Sequence, residues 1–428
     1  MNQHGVVIGG GIGGLLAAHA IADRFERVTV LERYRYPTDA ISSAPAARRG
    51  VPQSRCLHLL MAAGAAAFDE MMPGWRTEAA ALGAVPFDAS ADAAIHFPQG
   101  WLPRTPSGIR TFACSRDLLE IVLRRGLDDT QVEVREDQQV VALLGTRRRV
   151  TGVRSVGGDS PQQKSIDADF IVDASGRGSL LPDWIEGLPG RSGWTVEETL
   201  VDGRMQYVSR WFRLEPKYAP EWHCLSIAPG RDTQFRAAMM LRAEHDRWGV
   251  VLLAPTGDPL PADDDAFLEF TDGLAEGRLR AALDLAEPAG AIQHYGHAGN
   301  RLRRYDRLLD WPSGLVALGD SVCALDPYFG LGMTVAARGA VLLREYLDRD
   351  RSQIVSGFEF QQQLAATHVQ PWRLATGVNP DGSPVDCDED CLARLHEAAP
   401  GNPEVAHALL AVQHLLRPVE SLLELCPL

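Results

Sequence analysis

Lysine is almost missing from this 428-residue chain: only Lys164 and Lys217 occur, and arginine carries nearly all of the positive charge. Positive charge is also outnumbered, 42 basic residues against 56 acidic, for a formal net charge of −14. Binding a phosphate backbone needs a concentrated cationic field, so nucleic acid is not an expected partner. Cysteine is sparse and scattered, at positions 56, 114, 224, 323, 387, 391 and 426. An odd number of cysteines in a large chain with no recognisable signal sequence implies no disulfide framework, and a reducing cytoplasm is the expected setting. No apolar run reaches membrane-spanning length, and the one near the start, Val6 to Ala22, is broken by glycines and His19. No integral membrane segment is therefore expected.

What remains is an ordinary globular composition, 45% hydrophobic and 23% charged, in a length that suits roughly two or three domains of ~100 to 200 residues. The stretch VVIGGGIGGLLAAHAIA begins as a β-branched run, Val6 to Ile8. Gly9, Gly11 and Gly14 follow in the spacing G-x-G-x-x-G around Ile12 and Gly13, and a small-residue helix is predicted from Leu15 to Ala22. Glycines at this spacing let the backbone turn sharply and approach a pyrophosphate, whose charge meets the free N–H groups of the helix N-terminus. RVTVLER, residues 27–33, reads as a second strand ending on Glu32 and Arg33. An acid at that offset is placed to meet a ribose hydroxyl. NAD and FAD share this fingerprint, so the motif alone does not choose between them.

Two distant segments bear on the choice. DADFIVDASGRGSLLPDW, residues 167–184, reads as a buried strand breaking into a loop at Gly176 and Gly178. GLVALGDSVCALDPYFGLGM opens at Gly314 and reads as a strand, a Gly319-Asp320 turn and a proline-glycine loop, with a long helix beginning near Met333. Here the chain resembles FAD-dependent monooxygenases of the para-hydroxybenzoate hydroxylase-like superfamily. The resemblance implies that Asp320 holds the FAD ribityl chain. It also implies that Pro327, Gly330 and Gly332 lay a helix N-terminus, with Met333, against the flavin pyrimidine edge, where an anion would gain on the order of 0.3 to 2 kcal/mol. Arg116, at the start of the helix in CSRDLLEIVLRRGL, resembles the arginine that reaches FAD in that superfamily. RRGVPQSRCLHLLMAAG, residues 48–64, and PWRLATG, residues 371–377, resemble a subgroup with polyether epoxidases and related tailoring oxygenases. That subgroup often carries two histidines one residue apart. Here Cys56 replaces the first, and His58 is expected to pack or hydrogen-bond ahead of any catalytic role.

The resemblance covers roughly residues 5–60, 110–182 and 295–377. It implies an α/β fold with a discontinuous Rossmann-like FAD-binding domain (1–75, 110–185 and 299–350), a mixed β-sheet substrate domain (76–109 and 186–298) and a helical C-terminal region (351–428). It further implies a monooxygenase that inserts one atom of O2, by epoxidation or hydroxylation, into an apolar secondary-metabolite-like small molecule through a flavin C4a-hydroperoxide. Oxygen chemistry belongs to the flavin, so a catalytic triad is not required. The alternative is an FAD-dependent reductase or dehydrogenase of the geranylgeranyl-reductase type. A flavin halogenase ranks lower, because no lysine precedes Lys164 and no two tryptophans sit one residue apart. A non-catalytic FAD-binding scaffold is the remaining reading.

Electrons come from NAD(P)H, directly or through a flavin reductase. Where single-component relatives carry an Asp-Gly pair near residue 175, this chain reads Asp173-Ala174-Ser175-Gly176, which favours a separate reductase. Cys387 and Cys391 in the acidic stretch 379–391 make a weak C-x-x-x-C, and no metal is assigned. Leu409, Val412, Leu416, Val419 and Leu423 predict a C-terminal helix with Pro418 as a kink or boundary.

Overall fold

The computed structural model describes residues 3–37, 48, 55–158, 160–190, 195–203, 205–231, 233–274, 277–295, 299–349, 356–386 and 388–426. Residues 49–54 of the subgroup-like segment, and Cys387, lie outside them. Five strands far apart in the chain form one parallel sheet in the order Leu315–Ala317, Phe170–Asp173, His4–Ile8, Arg27–Leu31, Val132–Arg135. Val6, Val7, Ile171, Val172, Leu315 and Val316 are completely buried. That is the pattern of a parallel sheet covered on both faces. The helix Ile12–Ile21 follows the first strand and packs against the long helix Gly332–Arg349. The approach is close: a Cβ on Gly13 would lie 3.4 Å from the Ala336 Cβ.

A second sheet has eight strands. Its centre is Met205–Arg213, Arg247–Pro255, Ala237–Arg242 and Cys224–Ile227, which pair antiparallel in that order. Ala93–Phe97 joins parallel to Cys224–Ile227. The stretches MQYVSRWFRL, FRAAMMLRAE and RWGVVLLAP, within the expected substrate domain, form its core. One face packs on the helices Asp264–Asp272 and Arg278–Leu283 through Phe212, Trp248, Phe267 and Leu279.

The C-terminal region is helical over Gly357–Thr376, Glu389–Ala398 and Pro403–Gln413. The last helix starts where the Asn402 side chain accepts from the Glu404 and Val405 N–H groups and ends earlier than its leucine pattern predicts. Leu415 adopts φ 58°, turning the chain, and Val419–Leu425 is a 3-10 segment. Leu409, Val412 and Leu422 are buried, whereas Leu416 and Leu423 are each 46% exposed. A second departure concerns cysteine: Cys391 is disulfide-bonded to Cys426, with Cα atoms 5.9 Å apart. It joins the helix Glu389–Ala398 to the chain end within an apolar cluster that reaches Leu102 and Phe97. Spacing could not have shown this pair, because 35 residues separate the two cysteines. Among the described residues no helix is long and apolar enough to cross a membrane.

A buried acid makes stability pH-dependent. Asp117, on the helix Arg116–Arg125, is 4% exposed, and its Oδ2 has no partner among the described residues. Burial, then the neighbouring Glu120, pushes its carboxyl up to about 7, with Arg247 and Arg116 opposing. The native state therefore prefers the protonated form. This contribution is fully present below about pH 4, is lost as pH rises towards 7, and is absent above it. Asp117→Asn is expected to remove this slope, raising Tm at pH 8 by on the order of 2–4 °C while changing little at pH 4. Parallel melting curves followed by circular dichroism check this, and an unchanged difference between the two pH values contradicts it.

Candidate active site

One cavity of about 630 Å³ runs from the glycine loop after the first strand to the eight-stranded sheet. At its first end the backbone is tightly constrained. Gly9 has φ 96°, and a Cβ there would lie 2.6 Å from the Ala174 carbonyl oxygen. A Cβ on Gly14 would sit 1.8 Å from the Gly9 carbonyl oxygen. Gly11 caps the helix Ile12–Ile21 with no side-chain hydrogen bond, so the first N–H groups remain available to an anion. Gly9, Gly11, Ile12 and Gly13 line the cavity, and Gly14 supports them from behind.

Glu32 directly follows the second strand, lines the same end and is 6% exposed. Its Oε2 accepts from the Gly10 N–H at 2.7 Å and its Oε1 from the Tyr34 N–H at 3.0 Å. Arg48 bridges Glu32 and Glu120 at 2.8 and 2.6 Å and donates to the Gly10 carbonyl at 3.0 Å. Arg33 is exposed at the rim, its guanidinium over the Tyr34 ring. Arg116 donates to Glu120 at 2.9 Å and would lie 3.6 Å from a Cβ on Gly11.

The middle of the cavity is built by the late segments. Ser321 Oγ donates to the Asp173 carbonyl at 2.8 Å, and the Leu318 N–H donates to the same oxygen at 3.0 Å. The Gly319–Ser321 turn is thereby fixed to the strand Phe170–Asp173, and Gly319 takes φ 67°. Burial pushes the Asp320 carboxyl up, while Arg177, Arg116 and Arg301 draw it back. Arg177 spans the wall, donating to the Gly299 carbonyl at 2.6 Å and the Leu325 carbonyl at 2.9 Å. Gly176 lines the cavity with φ 82° and open space at its Cβ position. Ser175 Oγ donates to Asp173 Oδ1 at 2.5 Å. Pro327, Gly330, Gly332 and Met333 follow, and Gly332 begins the 18-residue helix.

At the far end Ile227, Ala238, Met239, Val251 and Leu253 make an apolar wall. Tyr207 faces them, and its hydroxyl donates to Asp326 Oδ1. The same oxygen accepts from the Tyr328 N–H at 3.0 Å, and the Asp326 N–H donates to Asn300 Oδ1 at 2.7 Å. Burial, then the Asp326 charge, pushes Tyr207 well above the usual phenol range, so it stays protonated. His58 lines the cavity with Nδ1 donating to the Cys56 carbonyl at 3.0 Å. Burial, then Arg116, pushes its pKa down to about 3, leaving a neutral ring whose Nε2 is an acceptor.

All the expected cofactor-site positions except Gly14 thus line one cavity. Sequence reasoning missed Arg48, Arg177, Tyr207 and Asp326. Asp326 carried a signal, since an Asp directly before a proline is a frequent cap of a helical turn. The other three did not, because each acts through partners remote in sequence. The cavity also fits FAD. It joins a glycine-lined helix N-terminus, where side chains would block close approach, to a second helix start and an apolar chamber.

The chain matches the FAD binding domain family over residues 3–348. It belongs to that family and is an FAD-dependent monooxygenase of the para-hydroxybenzoate hydroxylase-like superfamily. Protein Rv3254 of Mycobacterium tuberculosis is 32% identical over 389 residues, 87% of this chain and 79% of that protein. The kynurenine 3-monooxygenase of Salinispora tropica is 28% identical over 380 residues, 83% of this chain and 75% of that enzyme. Two solved structures share the fold at a TM-score of 0.68. The p-nitrophenol 4-monooxygenase PnpA of Pseudomonas putida is 17% identical, covering 97% of this chain and 98% of its own. The flavin-dependent brominase Bmp2 is 15% identical, covering 96% and 94%. Identities this low carry the fold alone, and the two names attach different chemistries to it.

Proposed function

We propose that this enzyme inserts one atom of O2, by epoxidation or hydroxylation, into an apolar secondary-metabolite-like substrate. The observation that carries the reading is the continuity of one cavity from the Gly9–Gly14 loop to the apolar wall of the eight-stranded sheet. In this reading the helix N-terminus at Gly11–Gly13 holds the FAD pyrophosphate and Glu32 the ribose. Asp320 takes the ribityl chain, and the start of the helix at Gly332 meets the pyrimidine edge. Bound reduced FAD supplies the activation of oxygen. The eight-stranded sheet, with residues 76–109 and 186–298, serves as the substrate domain. Its Ile227, Met239, Val251 and Leu253 orient an apolar molecule and exclude water, which protects a reactive oxygen donor from hydrolysis. His58, held neutral, contributes a hydrogen-bond acceptor and no charge. Turnover of a panel of apolar alkenes and arenes under isotopically labelled oxygen tests this by product mass. Label in the product supports insertion, and a turned-over product without label supports dehydrogenation or reduction instead.

Electrons reach the flavin through a separate reductase, because the loop after Phe170–Asp173 presents Ser175, already bound to Asp173, in place of an acid. With NADPH alone under anaerobic conditions the visible flavin absorbance is expected to persist, and to bleach once a flavin reductase is added. Rapid bleaching by NADPH alone removes the need for that partner.

A further inference from the structure

A second cavity of about 270 Å³ shares no lining residue with the first. One wall is the helix Gly357–Thr376, where Gln361, Ala365 and His368 recur at spacings of four and three and so share a face. Gln361 is 2% exposed and His368 1%. Gln361 Nε2 donates to the Ala317 carbonyl at 2.9 Å, but its Oε1 has no partner among the described residues. Neither ring nitrogen of His368 has one either. Buried polar atoms are nearly always paired, so three idle atoms on two residues that line one small cavity need an explanation.

The charges around them are already spent. Arg304 and Asp306 bind each other at 2.9 and 2.7 Å. Arg303 donates to Glu198 and to the carbonyls of Ser321 and Ser179. Burial pushes His368 down to about 4, against the pull of Asp306 and with the help of Arg338, so its ring is neutral. The idle inventory is one N–H donor, one ring lone pair and one amide carbonyl. An anion would face the Asp306 carboxylate and the Gln361 carbonyl, and a cation would face Arg303 and Arg304. A neutral group with adjacent N–H and C=O matches both walls. The volume amounts to about nine waters' worth of space, enough for a single small ring.

We infer that this cavity binds a small neutral molecule through a carboxamide or lactam edge, its N–H donating to Gln361 Oε1 and its carbonyl accepting from His368. The site adjoins the first one through the chain: Gln361 holds Ala317, two residues before Gly319.

Benzamide is the probe, with benzoate and benzylamine as charged counterparts of the same size, on the full-length purified protein. Crystals soaked in benzamide are expected to show its amide on Gln361 and His368. In solution, Ala365→Phe, which fills the cavity, and His368→Leu, which removes the ring nitrogens, should each weaken benzamide binding by on the order of tenfold. Benzoate and benzylamine should bind more weakly than benzamide to the unaltered protein. FAD content, read from visible absorbance, is expected to be the same in both variants, so a failure of the cofactor reading would show there and not in benzamide affinity. Only water on Gln361 and His368 in the soaked crystal, or benzamide affinity unchanged in both variants, overturns the assignment.

Discussion

Gly14→Ala is expected to yield a colourless protein. The added methyl would lie 1.8 Å from the Gly9 carbonyl oxygen and 2.8 Å from its carbon. These are backbone atoms, so no side-chain rotation relieves the clash. The helix carrying Gly14 has no freedom to retreat, because Leu15, Leu16, Ala17 and Ala18 are completely buried. The loop over Gly9–Gly11 must therefore open, and with it the end of the cavity that the helix N-terminus serves. FAD affinity is expected to fall by at least about two orders of magnitude, close to 3 kcal/mol. Fluorescence titration of the apoprotein with FAD measures it directly. Gly13→Ala is the control for the fold, since its methyl meets the Ala336 Cβ at 3.4 Å, an ordinary contact. A Gly14→Ala protein that purifies yellow with unaltered affinity would sink the idea that this turn cradles the cofactor.

Arg48→Met carries the second large effect. Arg48 is 3% exposed, its guanidinium 4.4 Å from the Tyr36 ring centroid and in contact with Glu32, Glu120 and the Gly10 carbonyl. Glu32 and Glu120 are themselves 6% and 4% exposed. Methionine keeps much of the volume but leaves two buried carboxylates without their shared cation, although Arg116 still reaches Glu120. Removing one partner of a buried ion pair typically costs about 3–5 kcal/mol, more than the pair itself contributes. In the variant those carboxyls favour the protonated form, so the deficit should be larger at pH 8 than at pH 5. Urea unfolding at the two pH values reads both the size and the sign. A loss below about 1 kcal/mol at pH 8 would place Arg48 among ordinary surface residues.

How much of this was legible in the sequence depends on where each interaction partner lies in the chain. Gly9, Gly11 and Gly14 could be read because strand, turn and helix are contiguous and each glycine answers a local steric demand. The Gly319-Asp320 turn and the Pro327–Gly332 loop were readable for the same reason. Arg48 was not, because its meaning comes from Glu120, 72 residues away. The Tyr207–Asp326 bond spans 119 residues, and nothing near either residue predicts the other. The tail shows the opposite failure. The leucine spacing through Leu416 and Leu423 is genuine, but the left-handed turn at Leu415 breaks the helix that the pattern assumes. Cys391 sits four residues from Cys387, which drew attention to a local pair, while its partner is Cys426.

The order of strands in the parallel sheet also has a consequence for biosynthesis. Its central strand, His4–Ile8, is made long before one of its edge strands, Leu315–Ala317. A nascent chain on the ribosome can form the early strand–helix–strand unit at once. It cannot enclose a dinucleotide until the Gly319–Ser321 turn and the helix beginning at Gly332 have been translated. Products terminated before that point therefore carry an exposed, half-built nucleotide groove, and uptake of the coenzyme has to await these late-made elements.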